Sequence, residues 1–338
     1  MVKIKQVAER AGVSPTSVSH VLSRKRQVSD ELRRKVEAAI ADLGYAPNPL
    51  AQGLRTGKTG SVAFVLPDIC NPNYSEMARA LQAGLTRSGE DMLVYNSDLP
   101  GQSDTMAADE SGRAILDRIR AGRVDGLIVA EAALQGAESE LRTLGCPCIY
   151  IGDLPKPLVD SVSTDQSENT RLVARHLIER GHTRIAHVTG PHHLRMSKPR
   201  KDAFEGALVD AGVPIIDDLR FEGSFLAESG RRAADWLVDQ MPKHQPTAIF
   251  VAGSQMARGM MGRLYDLGIS VPGDIAVATY DMHNTLEDLR PRLTSVGTKP
   301  SQLAERALEM LRERLSGKET GPPRREVIPG ELRVGQTT

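Results

Sequence analysis

Residues 7 to 22 read VAERAGVSPTSVSHVL, and the second half of that stretch sets Thr16, Ser17 and His20 on the outer side of a helical repeat. An ordinary solvent face carries Glu and Lys, which solubilise a helix and support it through i,i+4 pairs. Small hydroxyls and an imidazole suit a different task. An imidazole donates to guanine N7 or O6, and a threonine offers a hydroxyl or a methyl to a base edge in the major groove. Ser14, Ser19 and the cluster Arg24, Lys25 and Arg26 suit phosphate oxygens, which hold register without specifying sequence.

A second set of chemistry-bearing residues falls at the ends of apolar strand runs. It comprises Asp68, Asn71, Asn73 and Tyr74; Asn96 and Asp98; Asp153; His192, His193 and Met196; Ser254 and Gln255; and Asp281. Hydrogen-bonding side chains with an aromatic among them suit a small polar molecule. Catalytic patterns are missing. His176, His182 and His187 lack the HExxH spacing of a zinc site, and no GxSxG, Walker loop or GxGxxG follows a strand. His192 and His193 beside Arg195 could hold an anion, but a loop at a strand end is equally natural. The expectation is a binding protein with no catalytic residues, no metal and no cofactor, although the fold class alone does not exclude an enzyme.

The first set needs helices to position it. Ile4, Val7, Ala8 and Ala11 follow the i, i+3, i+4, i+7 spacing of one helix face, and Gly12 can take the positive φ of a C-terminal cap. Ser14-Pro15 is a helix start, with the hydroxyl at N-cap and proline at N1. Val18, Val21 and Leu22 make the inner face of the second helix. Ser29 caps a third, with Leu32, Val36, Ala39, Ile40 and Leu43 as its stripe and Gly44 as its end. This is a helix-turn-helix pattern. A small helical bundle with no partner would share it, but charge separates the two readings. Residues 1–60 hold eleven Lys and Arg against five Asp and Glu, within a chain whose totals balance at 43 each. A basic module on an acidic body implies a polyanion partner for the first part alone.

From residue 61 the pattern changes. SVAFVLP, DMLVYNSD, VDGLIVA and PCIYIGD form one set of strands, and RIAHVTGP, TAIFVAG and DIAVATYD a second, alternating with amphipathic helices. Such alternation builds parallel sheets from βαβ units. Two sets predict two doubly wound lobes, with ligands beyond the carboxyl ends of the strands. Three cysteines cannot form an even disulfide framework, and unpaired thiols fit a reducing compartment. The charged start MVKIKQVAER is no secretory h-region, and no run approaches the ~18 apolar residues of a membrane span. A cytoplasmic protein is expected. A solute-binding protein feeding a transporter would share the two lobes but needs a secretion signal.

The stretch IKQVAERAGVSPTSVSHVLSRKRQVSDELRRKVEAAIADLGYAPNPLAQGLRTGKTGSVAFVLPD resembles the start of a lactose/galactose-repressor (LacI/GalR) family transcription regulator, and the resemblance extends over nearly the whole chain. It implies an α plus α/β architecture: a helix-turn-helix domain over 1–46, a hinge helix over 47–58, and a two-lobed, periplasmic-binding-protein-like domain over 59–338 for effector binding and dimerisation. Base contacts fall on Pro15, Thr16 and His20, with Ser17 beside them; Pro15 cannot donate and would make apolar contact. The hinge NPLAQGLRTG is short and holds Gly53 between Pro49 and Gly57, so it is marginal as a free helix. The resemblance implies that it folds when two copies meet on DNA, with Leu54 entering the minor groove as a wedge and Arg55 alongside. Off DNA it also serves as a flexible linker.

In the body, PDICNPNY matches the family's first ligand loop, Arg200 its effector-contacting arginine, and Phe225 and Asp281 further pocket positions. The effector set is therefore Asp68, Asn73, Tyr74, Asp153, His193, Met196, Arg200, Phe225, Gln255 and Asp281. Departures fall at Ser254-Gln255, where many relatives carry Asn-Asp, at Asp165-Gln166, where they carry Asp-Asn, and at TYDM, where they carry GFDD. Loss of a carboxylate at Gln255 removes an acceptor used on sugar hydroxyls. The effector class is a sugar, a sugar derivative or a related polar metabolite, and the departures favour a phosphate- or carboxylate-bearing ligand over a plain hexose. The expected whole is a homodimeric, effector-gated regulator, a repressor, reading a pseudo-palindromic operator. No leucine heptads follow for a tetramer. Induction and co-repression use the same parts, so the sign of control stays open.

Overall fold

The computed structural model describes residues 2–23, 28–45, 58–97 and 108–338, which divide into two compact units meeting at residues 59 and 60. Arg24, Lys25, Arg26, Leu54 and Arg55, and the hinge over 47–57, lie outside the described residues.

In the first unit α1 (Ile4–Ala11), α2 (Pro15–Ser23) and α3 (Asp30–Leu43) close on Val7, Ala8, Val18, Val21, Val36 and Ala39. Gly12 ends α1 at φ 66°, a conformation a side chain would strain. Ser14 Oγ accepts the N–H of Ser17 at 3.1 Å, which starts α2 one residue before Pro15. Ser29 does the same for α3 through the N–H of Leu32, at 3.3 Å. An Arg10–Asp42 ion pair at 2.7 Å joins α1 to α3.

The second unit holds two six-stranded sheets. The N-lobe sheet uses β1 (Ser61–Leu66), β2 (Asp91–Asn96), β3 (Gly126–Ala130), β4 (Cys148–Ile151), β5 (Asp160–Thr164) and β11 (Arg325–Ile328), ordered β11-β5-β4-β3-β1-β2. The C-lobe sheet uses β6 (Ile185–Thr189), β7 (Arg220–Glu222), β8 (Ala248–Val251), β9 (Ala276–Tyr280), β10 (Thr294–Gly297) and β12 (Glu331–Arg333), ordered β12-β10-β9-β8-β6-β7. Every pairing is parallel except β10 with β12. Strand alternation assigns each face its helices. Phe64 and Leu66 pack on α4 (Pro72–Ser88) and α10 (Pro300–Leu315), whereas Ala63 and Val65 pack on α5 (Ala108–Gly122). In the C-lobe, Val188 and Val251 face α8 (Ala227–His244) and α9 (Ser254–Asp266). Ile185 and Phe250 face α6 (Gln166–Glu179) and α7 (Ser197–Asp210).

Apolar runs alone predict four strands and three; the structure adds β5, β7, β10, β11 and β12. Two of these are interior, but buried Ser161, Ser163, Thr294 and Ser295 break up their apolar pattern. β7, β11 and β12 are short edge strands. The chain crosses between lobes three times, after β5, after β10 and after β11. The crossings are tied together: Thr164 Oγ1 and Thr298 Oγ1 lie 2.6 Å apart, and the N–H of Gly330 donates to Asn169 Oδ1 at 3.1 Å.

Candidate functional site

In the first unit the outer face of α2 begins at the cap. Pro15 and Thr16 are exposed, and Ser17, Ser19 and His20 are half-buried. The hydroxyls of Ser14 and Ser17 lie 2.9 Å apart, so Ser14 is tied into the helix start, and a phosphate would meet a group already held in place. Val18, one residue past Ser17, is fully buried. Burial of that inner stripe orients Thr16 and Ser17 outward together.

In the second unit a cavity of about 110 Å³ opens between the lobes at the carboxyl ends of β1, β3, β4, β8 and β9. Of the ten effector positions expected from the sequence, Asn73, Tyr74, Met196, Arg200, Phe225, Gln255 and Asp281 line it. The other three lie outside the lining. Asp68 Oδ1 accepts the N–H of Cys70 at 2.8 Å and shapes the loop before α4. Asp153 pairs with Arg325 at 2.6 Å. His193 is exposed, and its carbonyl accepts from Gln135 Nε2 at 2.9 Å.

Arg200 is 7% exposed and already well partnered. Its Nε donates to Gln166 Oε1 at 2.8 Å and its Nη1 to the carbonyl of Ala252 at 2.7 Å. Its guanidinium lies 3.7 Å from the centroid of the Tyr280 ring, a cation–π stack. Gln166 passes the contact on, donating through Nε2 to Glu131 Oε2 at 3.2 Å. Glu131 lies one residue past β3 and lines the cavity; its other oxygen, Oε1, is buried with no hydrogen-bond partner. Burial pushes this carboxyl up to about 7, against the opposing pull of Arg200. The Tyr74 hydroxyl donates to the Glu131 carbonyl at 3.3 Å, and burial raises its pKa as well, so it stays protonated at any physiological pH.

On the C-lobe side Asp281 Oδ2 accepts from the backbone N–H and the hydroxyl of Ser254, at 3.0 and 2.8 Å. A carboxylate there answers the positive end of the α9 dipole. His283 Nε2 lies 2.8 Å from Ser254 Oγ and its Nδ1 2.8 Å from Thr285 Oγ1. Because the Ser254 hydroxyl donates to Asp281, the network requires His283 to donate through Nε2. Burial lowers the His283 pKa and keeps the ring neutral.

Three non-glycine residues of the lining have left-handed backbone: Ala132 at φ 71°, Phe225 at φ 63° and Asp281 at φ 93°. Strain of this kind gathers where a fold holds a ligand site. The Phe225 ring rests on two glycines. A Cβ on Gly190 would come within 2.2 Å of Phe225 Cζ, and one on Gly253 within 2.8 Å of Cδ1. Sequence reasoning missed Glu131, Tyr280, Ser163, Thr164 and Thr298 in this lining. Glu131 had a findable signal, since it directly follows the apolar run GLIVA.

The rims touch as well. Arg195 Nη2 meets Glu138 Oε1 at 2.8 Å, and the N–H of Asn284 donates to Glu76 Oε2 at 2.9 Å. Both contacts bridge the lobes across the mouth of the cavity.

Comparison with known proteins places both units. Residues 3–48 match the profile of bacterial regulatory proteins of the lacI family, and residues 174–338 match a periplasmic binding protein-like domain. The HTH-type transcriptional repressor PurR of Yersinia pestis (strain Pestoides F) is 32% identical over 335 residues, covering 97% of this chain and 95% of that protein. The lac repressor dimer bound to operator and the anti-inducer ONPF superposes with a TM-score of 0.84 at 26% identity, covering 99% of this chain and 98% of that one. A CelR–cellobiose complex superposes with a TM-score of 0.71 at 27% identity over the full length of both chains. No helix among the described residues is long and apolar enough to cross a membrane.

Proposed function

The chain belongs to the LacI family of bacterial regulatory proteins, and from that premise we propose that α2 reads DNA while the cleft between the lobes decides when it does so. The protein is a sequence-specific transcriptional regulator, a repressor by its relatives, with an effector-binding body and no enzymatic role. It acts as a homodimer on a pseudo-palindromic operator, as befits a two-fold assembly. Such a protein works beside DNA in the cytoplasm.

Pro15, Thr16, Ser17 and His20 make the base contacts, and Ser14, Ser19, Arg24, Lys25 and Arg26 hold phosphates. Leu54 and Arg55 enter the minor groove. Asn73, Tyr74, Met196, Arg200, Phe225, Gln255 and Asp281 hold the effector, a sugar or related polar metabolite such as the cellobiose of the CelR complex. Asp68, Asp153 and His193 shape the surrounding loops.

The observation that carries this reading is the start of α2, where a capped helix presents Pro15 and Thr16 outward with no Lys or Glu to keep bases away. Selection of duplexes from a random pool tests it. The recovered sequences are expected to share two-fold symmetric half-sites, with affinity falling steeply as salt rises. His20→Ala is expected to relax preference at one base pair per half-site by about 1–3 kcal/mol. A pool that never converges refutes the reading, and uniform weakening in H20A reassigns His20 to the backbone.

A further inference from the structure

We propose that Glu131 sets the effector's chemistry: the cleft takes an uncharged or cationic ligand that presents a hydrogen-bond donor to this carboxylate, and it turns anions away. The inference rests on the cleft being the effector site. It reverses the preference for a phosphate or carboxylate ligand drawn from Gln255.

Arg200, the group an anion would seek, has its Nε on Gln166, one Nη on a backbone carbonyl, and its face on Tyr280. Only its remaining Nη donors are left for a ligand, and the Glu131 carboxylate close by repels an anion there. Asp281 spends Oδ2 on Ser254, and Gln255 accepts from Arg258 at 3.2 Å. Glu131 Oε1 is left as a buried acceptor in the wall of the cavity that the protein does not satisfy. A buried acceptor without a donor is costly, and a ligand that brings one recovers that loss. The carboxylate that relatives carry at 255 is thus matched in kind by one on the opposite lobe, at the end of β3.

The groups facing Glu131 decide how a proton competes with the ligand. Burial and the Asp153 carboxylate oppose its charged form, while Arg200, a backbone hydrogen bond from Asp153 and Arg195 favour it. The Tyr74 and Tyr150 hydroxyls nearby are held protonated by burial. A donor ligand needs the carboxylate, so its affinity rises with pH through the neutral range and levels off above about pH 8. An anionic ligand would behave in the opposite way.

The test uses the full chain labelled with ¹³C at glutamate Cδ, the Glu131 signal being identified by its loss in Glu131→Gln. Imidazole and methylammonium are titrated at pH 8, with acetate and inorganic phosphate as the anionic arm. The two nitrogen donors are expected to move the Glu131 signal saturably, and methylammonium, whose own charge is constant over this range, about tenfold more weakly at pH 6; acetate and phosphate are expected to leave it in place. A Glu131 signal deaf to both donors, or one that moves with either anion, overturns the proposal. Operator preference, measured on the same preparation, stands apart: its loss would refute the regulator reading and leave the carboxyl titration to be judged alone.

Discussion

At the scale of single residues, burial of the Glu131 carboxyl works against stability at neutral pH and above. A glutamate in water titrates near 4.3, whereas burial lifts this one to about 7. A carboxyl raised in the folded state favours folding while protonated, so its contribution is complete below the ordinary carboxylate range. It is lost as pH rises through about 7. Glu131→Gln removes the charge and keeps the shape. The variant is expected to melt like the parent at pH 4.5 and to be more stable at pH 8, by on the order of 2–3 kcal/mol. Calorimetry at the two pH values checks this; equal stability at pH 8 would mean the carboxyl is not held above its usual range. Phe225 makes a companion case. Gly190→Ala places a methyl against its ring, so effector affinity is expected to fall at least tenfold, read by calorimetric titration, while operator binding without effector is unchanged.

At the scale of elements, the C-terminal strand of the N-lobe is held by charge as much as by packing. Asp160 at the start of β5 is 1% exposed, and Arg314 of α10 grips it at 2.6 Å while Arg324, just before β11, does so at 2.9 Å. Arg306 clasps Glu326 of β11 through Nε and Nη2, both at 2.7 Å. Burial alone would push the Asp160 carboxyl up, but hydrogen bonds from Arg314 and Arg324 outweigh it and hold the group below its ordinary value. Its stabilisation is therefore present above the usual carboxylate range and drains away as pH falls through it. Asp160→Ala removes the buried carboxylate that both guanidinium groups share, while Arg324 keeps Glu313 at 2.6 Å and Arg314 keeps its backbone carbonyls, and is expected to cost about 1.5–3 kcal/mol. Urea unfolding at pH 7 and pH 3 checks both points: the parent should lose stability between them, and the gap between parent and variant should narrow at the lower pH.

At the scale of the whole body, the lobes are joined by three crossings and bridged again across the mouth. Opening the cleft parts Gln135 from His193 and Gln166 from Glu131, and also breaks the two rim bonds, Arg195 to Glu138 and Asn284 to Glu76. Neither rim bond lies in the cavity, so either can be removed without touching a lining residue. Glu138→Ala is expected to enlarge the radius of gyration of the free chain in small-angle scattering and to weaken effector binding several-fold. An unchanged radius would show that this ion pair does not hold the lobes together. Linkage supplies a further constraint. Whatever factor the effector imposes on operator affinity, operator DNA must impose on effector affinity.

The N-terminal helices could be read from the chain because their determinants are local. Gly12 and Gly44 stop helices, Ser14 and Ser29 start them, and the apolar stripes repeat every turn. Strands β1, β3, β4, β6, β8 and β9 declared themselves as apolar runs buried on both faces. β5 and β10 did not, since only their position between other strands makes polar residues such as Ser161 and Thr294 interior. Strand ends located the cleft, and seven of ten expected positions meet there. What no linear pattern contains is which hydrogen bonds are already made. Arg200 looks like an open anion receptor until folding brings Gln166, Ala252 and Tyr280 around it. Glu131 looks like one more acidic residue until the second lobe buries it with an unmet oxygen. Local spacing determines helices and capping; satisfaction of a buried polar group depends on partners dozens of residues away, so only the tertiary structure decides it.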